Sequence, residues 1–183
     1  MIITMEEKLS VRPAVIKDLD AIVDYFLTAD NDYLLGMGVD HSRLPSKNEW
    51  IRILTSDFML PEAQRSFYYV IWLSNDKAIG HSNINKIVYG EEAYMHLHLW
   101  HGNTRQRGWG LNFLRMSMSY YFEVFNLQTL YCEPMASNPS PNRTLKKLGF
   151  EFVKSYETTP GWINLHQTVN RWSMTREKFM EPI

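Results

Sequence analysis

Cys132 is the only cysteine in the chain, so no disulfide framework can form within it. No apolar run approaches the roughly 18 residues of a membrane span. The opening stretch, MIITMEEKLS, lacks the basic start and apolar run of a secretory leader. Charge of one sign is also missing: 19 Lys and Arg stand against 20 Asp and Glu. That balance argues against a nucleic-acid partner, which normally needs a broad basic face. Repeats, low-complexity tracts and linker-like composition breaks are absent too. What is present is a chain of 183 residues, 45% hydrophobic and 14% aromatic, which can bury a substantial core. One domain over residues 1–183 is expected, cytoplasmic and with no membrane partner.

Periodicity divides the chain into elements. A short strand is expected around Leu9 to Arg12, followed by a helix with Leu19, Ile22, Val23, Phe26 and Leu27 at helical spacing. Ser46 and Glu49 have the spacing of a capping box before a second helix, whose inner stripe is Trp50, Ile51 and Leu54. The segments SFYYVIWL, AIGHSNINKIVY and AYMHLHLW read as three strands separated by turns. In the last of them, Met95, Leu97 and Leu99 point one way and Tyr94, His96, His98 and Trp100 the other. After Gly110 the period becomes helical, with Leu111, Leu114, Met118, Tyr121, Phe122 and Phe125 on one face. LQTLYC is a short strand, and NPSPNRTLKKLGF holds a helix with Ser140 as cap, Pro141 in the first turn and Gly149 past the end. Two final strands turn around Pro160 and Gly161. The order β-α-α-β-β-β-α-β-α-β-β predicts a mixed α+β fold, a sheet covered by helices.

The stretch RQRGWG, residues 105–110, lies where an alternating strand gives way to a helix. Free N–H groups and the dipole at a helix start favour anions. Gly108 and Gly110 let a phosphate approach the backbone, and Arg105 and Arg107 add donors. The string is not a Walker loop. It is not a dinucleotide fingerprint either, because Phe113 stands where the third glycine would be.

Arg105, Gly108 and Gly110 match R-x-x-G-x-G, which resembles the signature of the GNAT N-acetyltransferase superfamily. Asn138 after the fifth strand and the later Leu148-Gly149-Phe150 resemble a second feature of that family. Its ribosomal-protein-type branch looks most similar. The resemblance implies a central mixed, mostly antiparallel sheet whose fourth and fifth strands splay apart. It also implies acetyl-CoA as acyl donor and an amine as acceptor, and a homodimer is common in such enzymes. Arg105, Gln106, Arg107, Gly108, Trp109 and Gly110 would cradle the pyrophosphate, with Asn138 and Asn142 also on the coenzyme side. The backbone of His98, Leu99 and Trp100 would hold the pantetheine and polarise the thioester. A backbone N–H aimed at the developing oxyanion contributes about 2.7–4 kcal/mol. Two positions depart from the family pattern: Pro141 stands where the branch usually has Ser, and Leu145 where many members have a Tyr general acid.

The attacking amine must lose a proton, and a histidine titrating near neutrality suits that task. In some members histidines of the fourth strand line the acceptor site, which makes His96 the first candidate base. Glu133 is the second, and His98 shares the strand face. Cys132 reads as a buried packing residue. Two other functions fit the same residues. His96, His98 and His101 could form a metal site, although His101 has the wrong parity on a continuing strand. A non-catalytic acyl-CoA-binding module is motivated by Leu145. The expectation is an enzyme without a metal. In the family the acceptor is set by segments that here are roughly residues 30–60 and 158–167, with Tyr33, Trp50 and Trp162 able to shape an apolar pocket. No acidic cluster of the kind a polyamine acceptor needs is evident.

Overall fold

The computed structural model describes residues 7–100 and 108–181. Its strands are β1 (Leu9–Pro13), β2 (Phe67–Ser74), β3 (Lys77–Val88), β4 (Glu92–Leu99), β5 (Thr129–Cys132), β6 (Glu151–Thr158) and β7 (Gln167–Thr175). The helices are α1 (Leu19–Leu27), α2 (Asn31–Gly36), α3 (Lys47–Phe58), α4 (Trp109–Val124), α5 (Pro139–Leu148) and α6 (Arg176–Met180). The strands form one sheet in the order β1-β2-β3-β4-β5-β7-β6. Every neighbouring pair is antiparallel except β4 and β5, which run parallel.

Alternation along the strands gives each face its own core. One face carries Val70, Trp72, Ile84 and Met95 against Phe113, Leu114, Tyr121 and Phe122 of α4. The other carries Tyr69 and Ile71 against Leu19, Ile22 and Phe26 of α1 and Trp50 and Leu54 of α3. Three contacts fix α4. The Trp72 indole stacks on Phe113 at 5.1 Å between ring centres. Its Nε1–H donates to Ser117 Oγ at 2.9 Å. The Ser82 and Tyr121 hydroxyls lie 2.5 Å apart. Burying an aromatic side chain of this kind stabilises by about 1.5–3 kcal/mol. Phe113, the residue that breaks the dinucleotide fingerprint, is therefore an anchor that sets where α4 begins.

Helix ends follow their local chemistry. Ser46 caps α3, its hydroxyl accepting the Glu49 N–H at 3.4 Å. The cap of α5 is Asn138, whose side chain accepts from the Ser140 N–H, and Pro139 occupies the first turn. That corrects the expected cap at Ser140 by two residues; an Asx side chain reaching two residues onward competes well with a serine hydroxyl. Gly149 closes α5 in the left-handed region, φ 91°. Two helices were not foreseen: α2 and α6 are each too short to show a periodic face.

Candidate active site

The parallel pairing of β4 with β5 runs only from Glu92↔Thr129 to Tyr94↔Tyr131. Beyond it β4 continues to Leu99 paired with β3, while β5 ends at Cys132. The strands separate there, and a cleft of about 850 Å³ opens between them. It is lined by Leu97 and Leu99 of β4, Gly108 and Gly110 at the start of α4, Glu133 after β5, and Ser140 and Thr144 of α5.

Register decides which backbone groups face the cleft. The Trp100 N–H donates to the Ile79 carbonyl of β3, and the pairing from Gly80↔Leu99 to Asn85↔Tyr94 is unbroken one-to-one. Backbone groups alternate sides along a strand. Those of His96, His98 and Trp100 therefore point to β3, and those of Leu97 and Leu99 point into the opening. Of the three residues expected to offer backbone to a pantetheine, Leu99 faces the right way and His98 and Trp100 do not.

At the other end of the cleft is the N-terminus of α4. Gly108 is the N-cap at φ 78°, a left-handed conformation that glycine adopts without strain, and it supplies no side-chain cap. Among the described residues, a Cβ at Gly108 or Gly110 would meet nothing within 4 Å, and first-turn N–H groups lie behind both glycines. Arg105, Gln106 and Arg107 lie outside the described residues, as does His101. Trp109 packs partly buried against the core. Asn138 Nδ2–H donates to the Gly36 carbonyl at 3.1 Å. Asn142 is fully committed within the protein. Its Nδ2 donates to the Met135 and Asn138 carbonyls, and its Oδ1 accepts from Asn170 Nδ2 and Trp172 Nε1. Nothing remains for a ligand.

Three histidines meet on the face toward α1. His96 and His98 were foreseen; His81 of β3 was not. Its signal was the polar alternation His81-Asn83-Asn85 on β3, which the register sets opposite His98-His96-Tyr94. The His81 and His98 rings lie 4.8 Å apart. Trp100 Nε1–H donates to His81 Nδ1 at 2.8 Å, so the His81 hydrogen sits on Nε2. His96 Nε2 is 3.2 Å from Asn85 Oδ1, an acceptor, which leaves Nδ1 as the His96 lone pair. Burial lowers all three pKa values. His81 is pushed to about 3, with His96 adding repulsion. His96 falls to about 4, through burial first and then Lys86, with Glu133 opposing. His98 lies well below its ordinary value for the same main reason, with His81 and His96 adding to it. At neutral pH the trio is uncharged, so a base titrating near 6–7 is not what this site provides.

Glu133 is not a free carboxylate. Its Oε1 accepts from Arg171 Nε at 2.6 Å and from the Tyr156 hydroxyl, and its side chain is 5% exposed. Arg171 in turn sits over the Tyr94, Tyr131 and Tyr156 rings at 5.2–5.5 Å. Burial raises the Cys132 thiol to about 12, so it is not a thiolate at neutral pH. Leu145 is fully buried in the core of α5 and offers no proton. Among the described residues no group of three or more His, Cys, Asp or Glu is placed to hold a metal ion, and no helix is long and apolar enough to cross a membrane.

The two segments expected to govern the acceptor lie side by side. The Asp40 N–H donates to the Ile163 carbonyl at 2.8 Å and the Leu165 N–H to the Gly38 carbonyl at 2.9 Å. Tyr33, Trp50 and Trp162 all line the cleft on this side.

A family model described as an acetyltransferase (GNAT) domain matches residues 8–151. No curated protein matches the chain significantly. Among solved structures, spermidine N-acetyltransferase from Vibrio cholerae in complex with CoA and spermine is similar at a TM-score of 0.78 and 16% identity, over 94% of this chain and 98% of that one. RimL, a ribosomal L7/L12 alpha-N-protein acetyltransferase in complex with coenzyme A, gives 0.74 and 16%, over 93% and 95%. A dodecameric structure of the Vibrio cholerae spermidine enzyme gives 0.73 and 15%, over 94% and 96%. At such identities the likeness is one of fold. It does not choose between a small amine and a protein N-terminus as acceptor.

Proposed function

The chain belongs to the GNAT acetyltransferase family, acetyl-CoA-dependent N-acetyltransferases, and from that premise we propose how this cleft carries out the transfer. The pyrophosphate of acetyl-CoA rests on the first-turn N–H groups of α4 at Gly108 and Gly110, with Arg105, Gln106 and Arg107 alongside. The pantetheine lies between the separated ends of β4 and β5, hydrogen-bonded to the backbone of Leu97. The observation that carries this reading is the loss of β4–β5 pairing after Tyr94, which leaves outward-pointing strand groups beside an open helix N-terminus.

In the reaction the amine lone pair attacks the thioester carbonyl carbon. The tetrahedral intermediate collapses with cleavage of the C–S bond, and coenzyme A leaves as a thiolate that takes a proton from solvent. A thiol of pKa about 8.5 is a tolerable leaving group without a dedicated acid. That removes the need for a tyrosine at Leu145. The amine nitrogen, acidic once it has attacked, passes its proton through His96 Nδ1, directly or through a water molecule, and His96, with a pKa of about 4, hands it on to solvent and is neutral again. The burial that keeps these histidines neutral also favours the neutral, nucleophilic form of an amine bound beside them.

Thiol release from acetyl-CoA on addition of primary amines tests the reading. Gly110→Val, at a position where a Cβ meets no atom of the described residues within 4 Å, should raise the acetyl-CoA KM about tenfold or more with an unchanged melting temperature. His96→Ala should lower kcat and leave that KM unaltered. Normal acetyl-CoA affinity in Gly110→Val would count against the cradle. Coenzyme binding with no transfer to any amine would favour the non-catalytic module.

A further inference from the structure

The acceptor side of the cleft is built from rings. Trp162, half-exposed at the rim, meets Trp50 edge-on at 5.9 Å between ring centres. Trp50 meets Phe26 at 5.3 Å, and Phe26 meets His98 at 5.1 Å. These contacts make one continuous aromatic wall from solvent to the histidines, and Ile53 and Leu54 of α3 extend it.

Charge is scarce along the same path. Besides the neutral histidines, the ionisable side chains lining the cleft among the described residues are Lys147, Glu133, the un-ionised Cys132 thiol and tyrosines. Lys147 lies on α5, across the opening from the wall. Glu133 is already neutralised by Arg171 at 2.6 Å. Two buried polar atoms that line the cleft have no hydrogen-bond partner among the described residues: His81 Nε2 and Gln167 Oε1. With its Nδ1 occupied by Trp100, His81 has a donor left at Nε2, and Gln167 has an acceptor left at Oε1. Buried groups of this kind are normally satisfied by a protein group, water or ligand.

Resting on the coenzyme site proposed above, we infer that the acceptor is a primary monoamine with an aromatic or bulky apolar body, held against Trp162, Trp50 and Phe26, and that it is not a polyamine. The wall supplies apolar contact along the length of such a body. A single amino group reaches the histidines in neutral form. A polyamine would carry further ammonium groups along an apolar wall. Each would lose hydration, and Glu133, the one carboxylate among the described lining residues, is already paired with Arg171.

Steady-state thiol release by the full chain at saturating acetyl-CoA, with 2-phenylethylamine, spermidine and a peptide bearing a free α-amino group, tests this. The expected kcat/KM for 2-phenylethylamine is at least about tenfold above that for either of the others. Trp162→Ala, at an exposed position, should raise the KM for 2-phenylethylamine about tenfold without changing the acetyl-CoA KM. Faster turnover of spermidine or of the peptide overturns the inference and leaves the coenzyme site standing. So does calorimetric binding of acetyl-CoA with no turnover of 2-phenylethylamine. Failure to bind acetyl-CoA at all overturns the underlying reading, and this inference with it.

Discussion

His81 shows how a single side chain can set the character of a site. It is fully buried, has no partner for Nε2 among the described residues, and accepts at Nδ1 from Trp100. Burial holds its pKa at about 3, whereas the unfolded chain titrates near 6.5. Between those values the unfolded state binds a proton that the folded state refuses, so stability falls as pH drops through the window. The limiting slope is about 1.4 kcal/mol per pH unit for each such histidine. Melting temperatures of the wild type should therefore fall steadily from pH 6.5 to pH 4. His81→Phe should melt lower at pH 7, because the Trp100 indole loses its acceptor, but should show a shallower acid decline. Parallel curves for the two proteins would mean that His81 is not a neutral buried group.

At the scale of elements, the β3–β4 ribbon is the part the cleft depends on. Gly80 of β3 pairs with Leu99 of β4 where there is no room for a side chain. A Cβ there would lie 2.5 Å from the His98 carbonyl oxygen and 3.2 Å from the Leu99 Cα and the Trp72 ring. Backbone atoms cannot swing aside as a side-chain tip can, so Gly80→Ala must displace β4 beside Leu99. The expected cost is about 1–3 kcal/mol, seen as a lower melting temperature together with weaker acetyl-CoA binding. Loss of stability with undiminished coenzyme affinity would show that the position of β4 does not matter to the ligand.

The same ribbon marks what could be read from the chain. The alternation of Met95, Leu97 and Leu99 against His96 and His98 was legible because a strand's period is local. The faces of α1 and α4, and Gly149 after α5, were legible for the same reason. Hydrogen-bond direction was not, since it depends on which residue of β3 faces which of β4; His98 and Trp100 turn their backbone away from the opening on that account. Partners distant in sequence were hidden as well. Arg171 reaches Glu133 across 38 residues and removes it as a base, and Trp100 reaches His81 across 19. Nor could burial depth be judged locally, and it is depth that takes the histidines out of the neutral pH range.

Across the whole molecule, the sheet acts as a divider. Helix α4, anchored through Trp72, Phe113 and Ser117, brings its N-terminus to the opening of the sheet on one side. On the other, α1, α3 and the segment before β7 bring an aromatic wall to the same opening. Donor and acceptor would then meet where β4 and β5 part, beside three uncharged histidines. The central claim is that the coenzyme fills this gap as though it were a missing strand. A crystal structure of the protein with coenzyme A bound measures it directly. The account predicts a diphosphate over Gly108 and Gly110 and a pantetheine paired with the backbone of Leu97. Coenzyme bound elsewhere, with that gap left empty, would contradict it.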